Sequence, residues 1–181
     1  NGSPRKNGNT SQILKIAAKA TGAAAKNITI INLTEYDIKP CKACGVCWET
    51  KNCPIKDDLE KVLKPILEAD GIILGSPVYY GTVSPELKAF IDRSGELLGA
   101  RGFPLKGKIG GAFAVARRWG HITTWTAMLL YLTAMRMIIP GAGWSAATAL
   151  APGDVLKDEE GIGLAKELGL SMGELIRKLR K

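Results

Sequence analysis

The sequence has no apolar run that reaches the ~18 residues a membrane span needs. The longest candidate, from Met128 to Ile139, is interrupted by Thr133 and Arg136. No secretory signal is visible, because the first residues, NGSPRKNGNT, are polar. No membrane association is therefore expected, and the cytoplasm is the expected location. Histidine occurs once, at His121, so no patterned Ser-His-Asp set is available and hydrolysis finds no support. Neither a GxxxxGK[ST] loop nor GxGxxG occurs. Cysteine is missing from the whole chain except residues 41 to 53, where all four fall.

What remains is an ordinary globular composition: 181 residues, 46% hydrophobic and 23% charged. This suits one domain, residues 1–181, with a sizeable core. The net charge of +8 favours anionic ligands, acidic protein partners or nucleic acid. The lysines are dispersed, however. The one dense cluster, RKLRK, closes a predicted terminal helix, where cations complement the helix dipole. No nucleic-acid partner is expected.

Strand and helix patterns alternate. Apolar residues at helical spacing predict a helix over 10–20, and NITIINL (27–33) reads as a strand. A helix is expected from Asp57 or Asp58 to Leu67, then a fully apolar strand at 71–77, GIILGSP, of the kind buried in a parallel sheet. Pro85 opens the next helix, and 108–116 forms another buried strand. A helix over about 123–136, a short strand at 137–139 and a terminal helix over about 162–180 complete the pattern. Repeated βα units imply a parallel α/β sheet with helices on both faces. The loop at the start of the chain normally follows a strand in this architecture, so a short apolar strand before Asn1 is expected.

Residues 2–11, GSPRKNGNTS, place small and hydroxyl side chains at a helix entry. Backbone N–H groups there, with Ser3, Thr10 and Arg5, make a phosphate cradle; a capped surface turn is the plainer alternative. SPVYYGTVSPELK (76–88) and VARRWGH (115–121) leave the carboxyl ends of successive strands, where ligands of doubly wound sheets bind. Tyr79, Tyr80 and the amides around Gly81 suit the face and edge of a planar ring. Together the three loops suit a mononucleotide with a large aromatic head.

GSPRKNGNT, GSPVYYGTVSPELKAFIDR and RRWGHITT, in that order, resemble the flavodoxin-like NADPH-dependent FMN reductase superfamily. The resemblance covers nearly the whole chain and implies a flavodoxin-like, doubly wound, three-layer α/β/α fold. It implies that Ser3, Arg5, Asn9 and Thr10 face the FMN phosphate and that Pro77, Val78, Tyr79, Tyr80 and Gly81 line the ring. Contacts from Ala116, Arg117, Gly120 and His121 are implied by the third loop. That loop departs from the pattern, because relatives carry a Gly-rich stretch where this chain has ARRWGH.

The cysteine spacing is C-x2-C-x2-C-x5-C, at Cys41, Cys44, Cys47 and Cys53. Disulfides do not suit a cytosolic chain with this spacing. Four thiolates suit a tetrathiolate site, either a [4Fe–4S] cluster or structural zinc. Zinc sites usually separate two CxxC pairs by many residues. Three cysteines at successive x2 intervals, with Cys53-Pro54 at the end, are closer to a ferredoxin run. In the flavin context this insertion after the second strand, residues 37–56, resembles the archaeal-type iron–sulfur flavoproteins. It begins near Leu33 at the carboxyl edge of the sheet, so the cluster is expected on the flavin side.

The resemblance implies electron transfer between a [4Fe–4S] cluster, FMN and a ferredoxin-like carrier, in a homodimer or homotetramer. Lys42, Lys51 and Lys56 would attract an acidic carrier or simply keep the loop solvated. The alternatives are an NAD(P)H-dependent FMN or quinone reductase with structural zinc or an incidental cluster, and a non-enzymatic basic binding module. Trp119, Trp125 and Trp144 are candidates for packing, an interface or cover for the ring. Arg117 and Arg118 are candidates for a flavin carbonyl or a phosphate-bearing donor.

Overall fold

The computed structural model describes residues 1–23 and 27–180. Its centre is a parallel three-stranded sheet in the order β1 (Gly71–Pro77), β2 (Ile109–Ala116) and β3 (Ala146–Thr148). Gly71 is level with Ile109, and Ala114 with Ala146. Every residue of β2 is buried, as expected for a strand covered on both faces.

Successive β2 side chains point to opposite faces and divide the core. Ala112 and Ala114 face Leu63, Leu87, Phe90, Met128 and Leu132 on helices α3 (Leu59–Glu68), α4 (Pro85–Ala100) and α5 (His121–Ala134). Ile109, Phe113 and Val115 face Ile13, Leu14, Leu168 and Met172 on α1 (Asn9–Ala20) and α6 (Glu159–Leu179). Helices thus cover both faces. A β-carbon at Gly169 or Gly173 would stand 2.1 Å from the Ala17 or Thr21 carbonyl oxygen, so α6 lies directly on the backbone of α1. Among the described residues no helix is long and apolar enough to cross a membrane.

Local chemistry sets the helix starts. Ser84 caps α4 by accepting from the Leu87 amide at 3.3 Å, and Pro85 occupies the first turn, where a missing N–H costs nothing. Asp58 precedes α3, while Asp57 Oδ1 accepts from the Leu59 amide at 3.2 Å. Asp158 accepts from the Gly161 amide at 2.9 Å, so α6 begins at Glu159, a turn earlier than the apolar pattern predicts.

Two expected strands do not form. Residues 28–32 run without ladder pairing, and Leu33–Glu35 is a 3-10 turn. The segment is tied toward the sheet edge through Asn1: Leu33 N donates to Asn1 O at 3.0 Å, and the Asn1 amino group to Ile31 O at 2.8 Å. Gly2 N continues to Gly75 O of β1 at 2.8 Å. Between Ile28–Ile31 and β1 lies a slot of about 800 Å³ lined by Leu14, Ile72, Leu74 and Phe90. Among the described residues no strand pairs with this β-branched run.

The second is the expected strand at 137–139, which is a single parallel bridge between Ile109 and Ile138. Pro140 has no N–H to continue a ladder, and the chain loops outward before re-entering as β3. The terminal basic cluster is engaged locally: Arg177 donates to Thr21 O, Lys178 pairs with Glu174, and Arg180 pairs with Asp70. Lys181 of that cluster lies outside the described residues.

Candidate functional site

The first loop is tied to the end of β1. Ser84 Oγ donates to Gly2 O, and a β-carbon at Gly2 would stand 2.7 Å from Leu87 Cβ, so the backbone passes tightly over the start of α4. Ser3 is buried, and its Oγ accepts from the Arg5 amide at 3.1 Å, curling the loop toward α1. Gly8 precedes α1 and brings no capping side chain, leaving the first-turn amides directed at the loop. Thr10 and Ser11 are buried beneath it, and Arg5 is exposed. This is the arrangement in which a helix N-terminus receives a phosphate. Asn9 is occupied differently. Its Nδ2 donates to Ala151 O at 2.9 Å and its Oδ1 accepts from the Gly153 amide at 2.8 Å, fastening the loop after β3 to α1.

The second loop turns sharply after β1. Val78 N donates to Val115 O at 2.8 Å, continuing the β1–β2 pairing by one residue. Tyr79 and Thr82 then pair in both directions, at 2.9 and 3.1 Å, around Tyr80 and Gly81. Both central residues have positive φ, 45° and 81°, the geometry of a tight primed turn. The turn places Tyr80 outward, 97% exposed, with Tyr79 half-exposed beside it.

The third loop packs onto the second. A β-carbon at Gly120, φ 85°, would stand 2.6 Å from Val78 Cγ1 and 3.1 Å from Gly81 Cα. Thr123 Oγ1 donates to Gly81 O at 2.6 Å, and the Trp119 ring lies against Gly81 while remaining 62% exposed. Ala116 ends β2, buried, and its carbonyl accepts from Ala149 N at 2.9 Å. Arg117 is exposed, and His121 begins α5 with Nε2 3.4 Å from Thr148 Oγ1. Pro77, Val78, Tyr79, Tyr80, Gly81, Gly120 and His121 therefore stand together at the carboxyl edge. The first loop joins them through Gly2, Gly75 and Ser84.

Part of the cysteine loop packs along α4. It leaves the carboxyl edge at Leu33, but residues 46–53 lie against the later turns of α4. In the short helix α2 (Val46–Thr50), Trp48 donates from Nε1 to Glu96 Oε2 at 2.8 Å and its ring covers Gly99. Arg101 donates to Lys51 O at 2.9 Å and pairs with Glu60. Since α4 runs away from the carboxyl edge, Arg93 and Gly99 are eight and fourteen residues from its start, about 12 and 21 Å at the helical rise. Cys53 therefore lies beside the third turn of α4, and Trp48 beside its last turns. Sequence cannot reveal this, because the position is set by Trp48, Arg93 and Arg101, which belong to different elements.

Left-handed residues Ala43 (φ 49°), Gly45 (φ 74°) and Lys51 (φ 60°) turn the chain between successive cysteines. Cys44 is exposed and the other three are partly buried, Cys47 and Cys53 against the core. Burial pushes the Cys47 thiol up, and the Glu96 carboxylate adds to this. Sulfur atoms receive hydrogen bonds: the Ala43 amide donates to Cys41 Sγ at 3.4 Å, and Arg93 Nη2 donates to Cys53 Sγ at 3.2 Å. Among the described residues no three His, Cys, Asp or Glu side chains converge on a point where one metal ion would sit. Four cysteine thiols within thirteen residues, three of them partly buried, are the donor type of a tetrathiolate centre, whether zinc or an iron–sulfur cluster.

Arg93 was not among the residues expected to act. Its signal was present in the spacing: Phe90, Arg93, Ser94 and Leu97 form one i, i+3, i+4, i+7 stripe, and all four are buried. Its partner Asp57 is equally buried. Burial alone raises Asp57, but hydrogen bonds from Arg93 and from the Lys39 and Leu59 amides outweigh it and hold the carboxyl below the usual range.

A family described as NADPH-dependent FMN reductase matches residues 1–151. An iron-sulfur flavoprotein of Methanocaldococcus jannaschii is 38% identical over 99% of this chain and 96% of its own length. An iron-sulfur flavoprotein of Archaeoglobus fulgidus is 31% identical over 96% of this chain and 76% of its own. Among solved structures, a flavodoxin from the domain Archaea superposes with a TM-score of 0.60 at 17% identity, covering 93% of this chain and 91% of its own. That structural likeness establishes a flavodoxin-like fold.

Proposed function

The chain belongs to the NADPH-dependent FMN reductase family, and from that premise we propose that it is an electron-transfer flavoprotein carrying FMN and a [4Fe–4S] cluster. A flavin-binding redox role is supported by the family and by the iron-sulfur flavoprotein relatives. The observation that carries the flavin assignment is the meeting of three loops at the carboxyl edge, with an uncapped helix N-terminus on one side and the Tyr79–Gly81 turn on the other. The first-turn amides of α1, Ser3, Arg5 and Thr10 would hold the phosphate. The 77–81 turn and residues 116–121 would hold the ring.

Cys41, Cys44, Cys47 and Cys53 would bind the cluster; the donor set and the relatives' names support this reading. When bound, the cluster supplies one-electron exchange and the flavin one- or two-electron exchange. The chain's own contribution is to orient both groups and to present lysines 42, 51 and 56 to an acidic, ferredoxin-like carrier. The position of the cysteine loop along α4 favours transfer between subunits of a homodimer or homotetramer. The exposed Tyr80, Trp119 and Ile122 at the carboxyl edge would then meet a neighbouring copy.

Anaerobic purification followed by an absorption spectrum, with iron, sulfide, zinc and FMN quantified on one sample, tests this. About four irons and four sulfides per chain with one FMN are expected. The family description also favours direct use of NADPH. Flavin with zinc and no sulfide, together with steady NADPH oxidation, would establish that second reading instead.

A further inference from the structure

We propose that Arg93 is the positioning residue of the cysteine loop, fixing Cys53 and both ends of the loop and raising the reduction potential of the centre held there. This rests on the cluster reading above. Arg93 projects from the third turn of α4 with its side chain 1% exposed. Its planar guanidinium serves four acceptors from three parts of the loop region. Nη1 donates to Asp57 Oδ2 and, at 3.2 Å, to Lys39 O. Nη2 donates to Cys53 Sγ at 3.2 Å and to Ile55 O at 3.5 Å. Lys39 stands two residues before the first cysteine and Ile55 two after the last, so a single side chain joins the points where the loop begins and ends.

Packing alone does not call for this arrangement. Arg93 occupies an apolar position between Phe90 and Leu97, where a hydrophobic residue would fill the space without an ion pair. Replacing buried pairs by hydrophobic residues is commonly neutral or stabilising. What a hydrophobic residue could not supply is a charged donor to sulfur. Asp57 is held by Arg93 and by the Lys39 and Leu59 amides, at 3.0 and 3.2 Å, so the guanidinium cannot swing away from Cys53. Hydrogen bonds and positive charge at a cluster sulfur favour the reduced, more negative centre, and so raise its potential.

The test compares wild type with Arg93→Met, Arg93→Lys and Asp57→Asn after anaerobic reconstitution. Iron, sulfide and FMN per chain are measured with the midpoint potential of the iron–sulfur signal. Arg93→Met is expected to keep FMN, lose most of its iron and sulfide, and show a lowered potential in what remains. Arg93→Lys, which keeps the charge and retains the test should the methionine variant fail to fold, is expected to fall between. Asp57→Asn removes the negative charge beside the guanidinium and is expected to raise the potential. Wild-type iron, sulfide and potential in both Arg93 variants would overturn the inference alone, and so would shifts of the same sign in Arg93→Met and Asp57→Asn. Wild type holding FMN without iron or sulfide would overturn the cluster reading beneath it.

Discussion

Substituting Gly120 by alanine tests whether the second and third loops act as one unit. Two separate effects meet at this residue. Its φ of 85° is in the left-handed region, where a β-carbon costs about 1–2 kcal/mol. The added carbon would also stand 2.6 Å from Val78 Cγ1 and 3.1 Å from Gly81 Cα, and overpacking of that kind costs about 1–3 kcal/mol more. Gly107 separates the two, because its φ is 81° but nothing lies within 4 Å of its β-carbon position. Urea unfolding should therefore show Gly107→Ala destabilised by about 1–2 kcal/mol and Gly120→Ala by about 2–5. FMN titration should show the first unchanged and the second weakened about tenfold or more, since a loss of 1.4 kcal/mol is a factor of ten. Equal destabilisation and equal FMN affinity in the two variants would refute the argument. The 77–81 turn would then not depend on the third loop for its position.

Three further outcomes are expected. Burial pushes the Tyr131 hydroxyl, 2.9 Å from Ser94 Oγ, from 10 up to about 12. Its native pKa is the higher one, so this contribution is intact below pH 10 and is lost as pH rises from 10 to 12. The loss is on the order of a few kcal/mol, and Tyr131→Phe should flatten that slope in denaturation curves. Gly169→Ala would drive a β-carbon into the Ala17 carbonyl and should lower unfolding free energy by about 3 kcal/mol or more. An unchanged denaturation midpoint would mean that α6 does not rest on α1 as described. Asn9→Ala should reduce stability by about 1–2 kcal/mol through its lost bonds to Ala151 and Gly153, with little change in FMN affinity. A large loss of FMN affinity without loss of stability would instead assign Asn9's side chain to the phosphate.

The elements legible in the sequence are those whose local chemistry and burial agree. α1, α4, β1 and β2 follow apolar spacing, with Ser84 and Pro85 marking a helix start and continuous apolar runs marking buried strands. β3 was not legible, because Ala146–Thr148 is too short to carry a pattern and its place depends on pairing with Ala114–Ala116. NITIINL is β-branched and favours a strand, but a ladder needs a neighbour, and among the described residues none pairs with 28–32. The three loops were legible as a site because strand ends fix where they meet. Asn9 shows the limit of that reasoning, since only the fold reveals that its amide holds residues 151–153. The cysteines' identity and spacing point to a metal centre, but the packing of their loop along α4 could not be read from them.

Helix α4 touches both candidate sites. At its N-cap Ser84 Oγ holds the Gly2 carbonyl of the first loop, and nine residues further along Arg93 holds Cys53. A sixteen-residue helix packed on a sheet neither stretches nor bends at little cost. It therefore acts as a ruler, fixing the separation of the two sites within one chain whatever occupies them. If the two sites exchange electrons as proposed, a change of rate would come from how copies are arranged or from how each site is tuned, rather than from drawing the sites together inside one subunit.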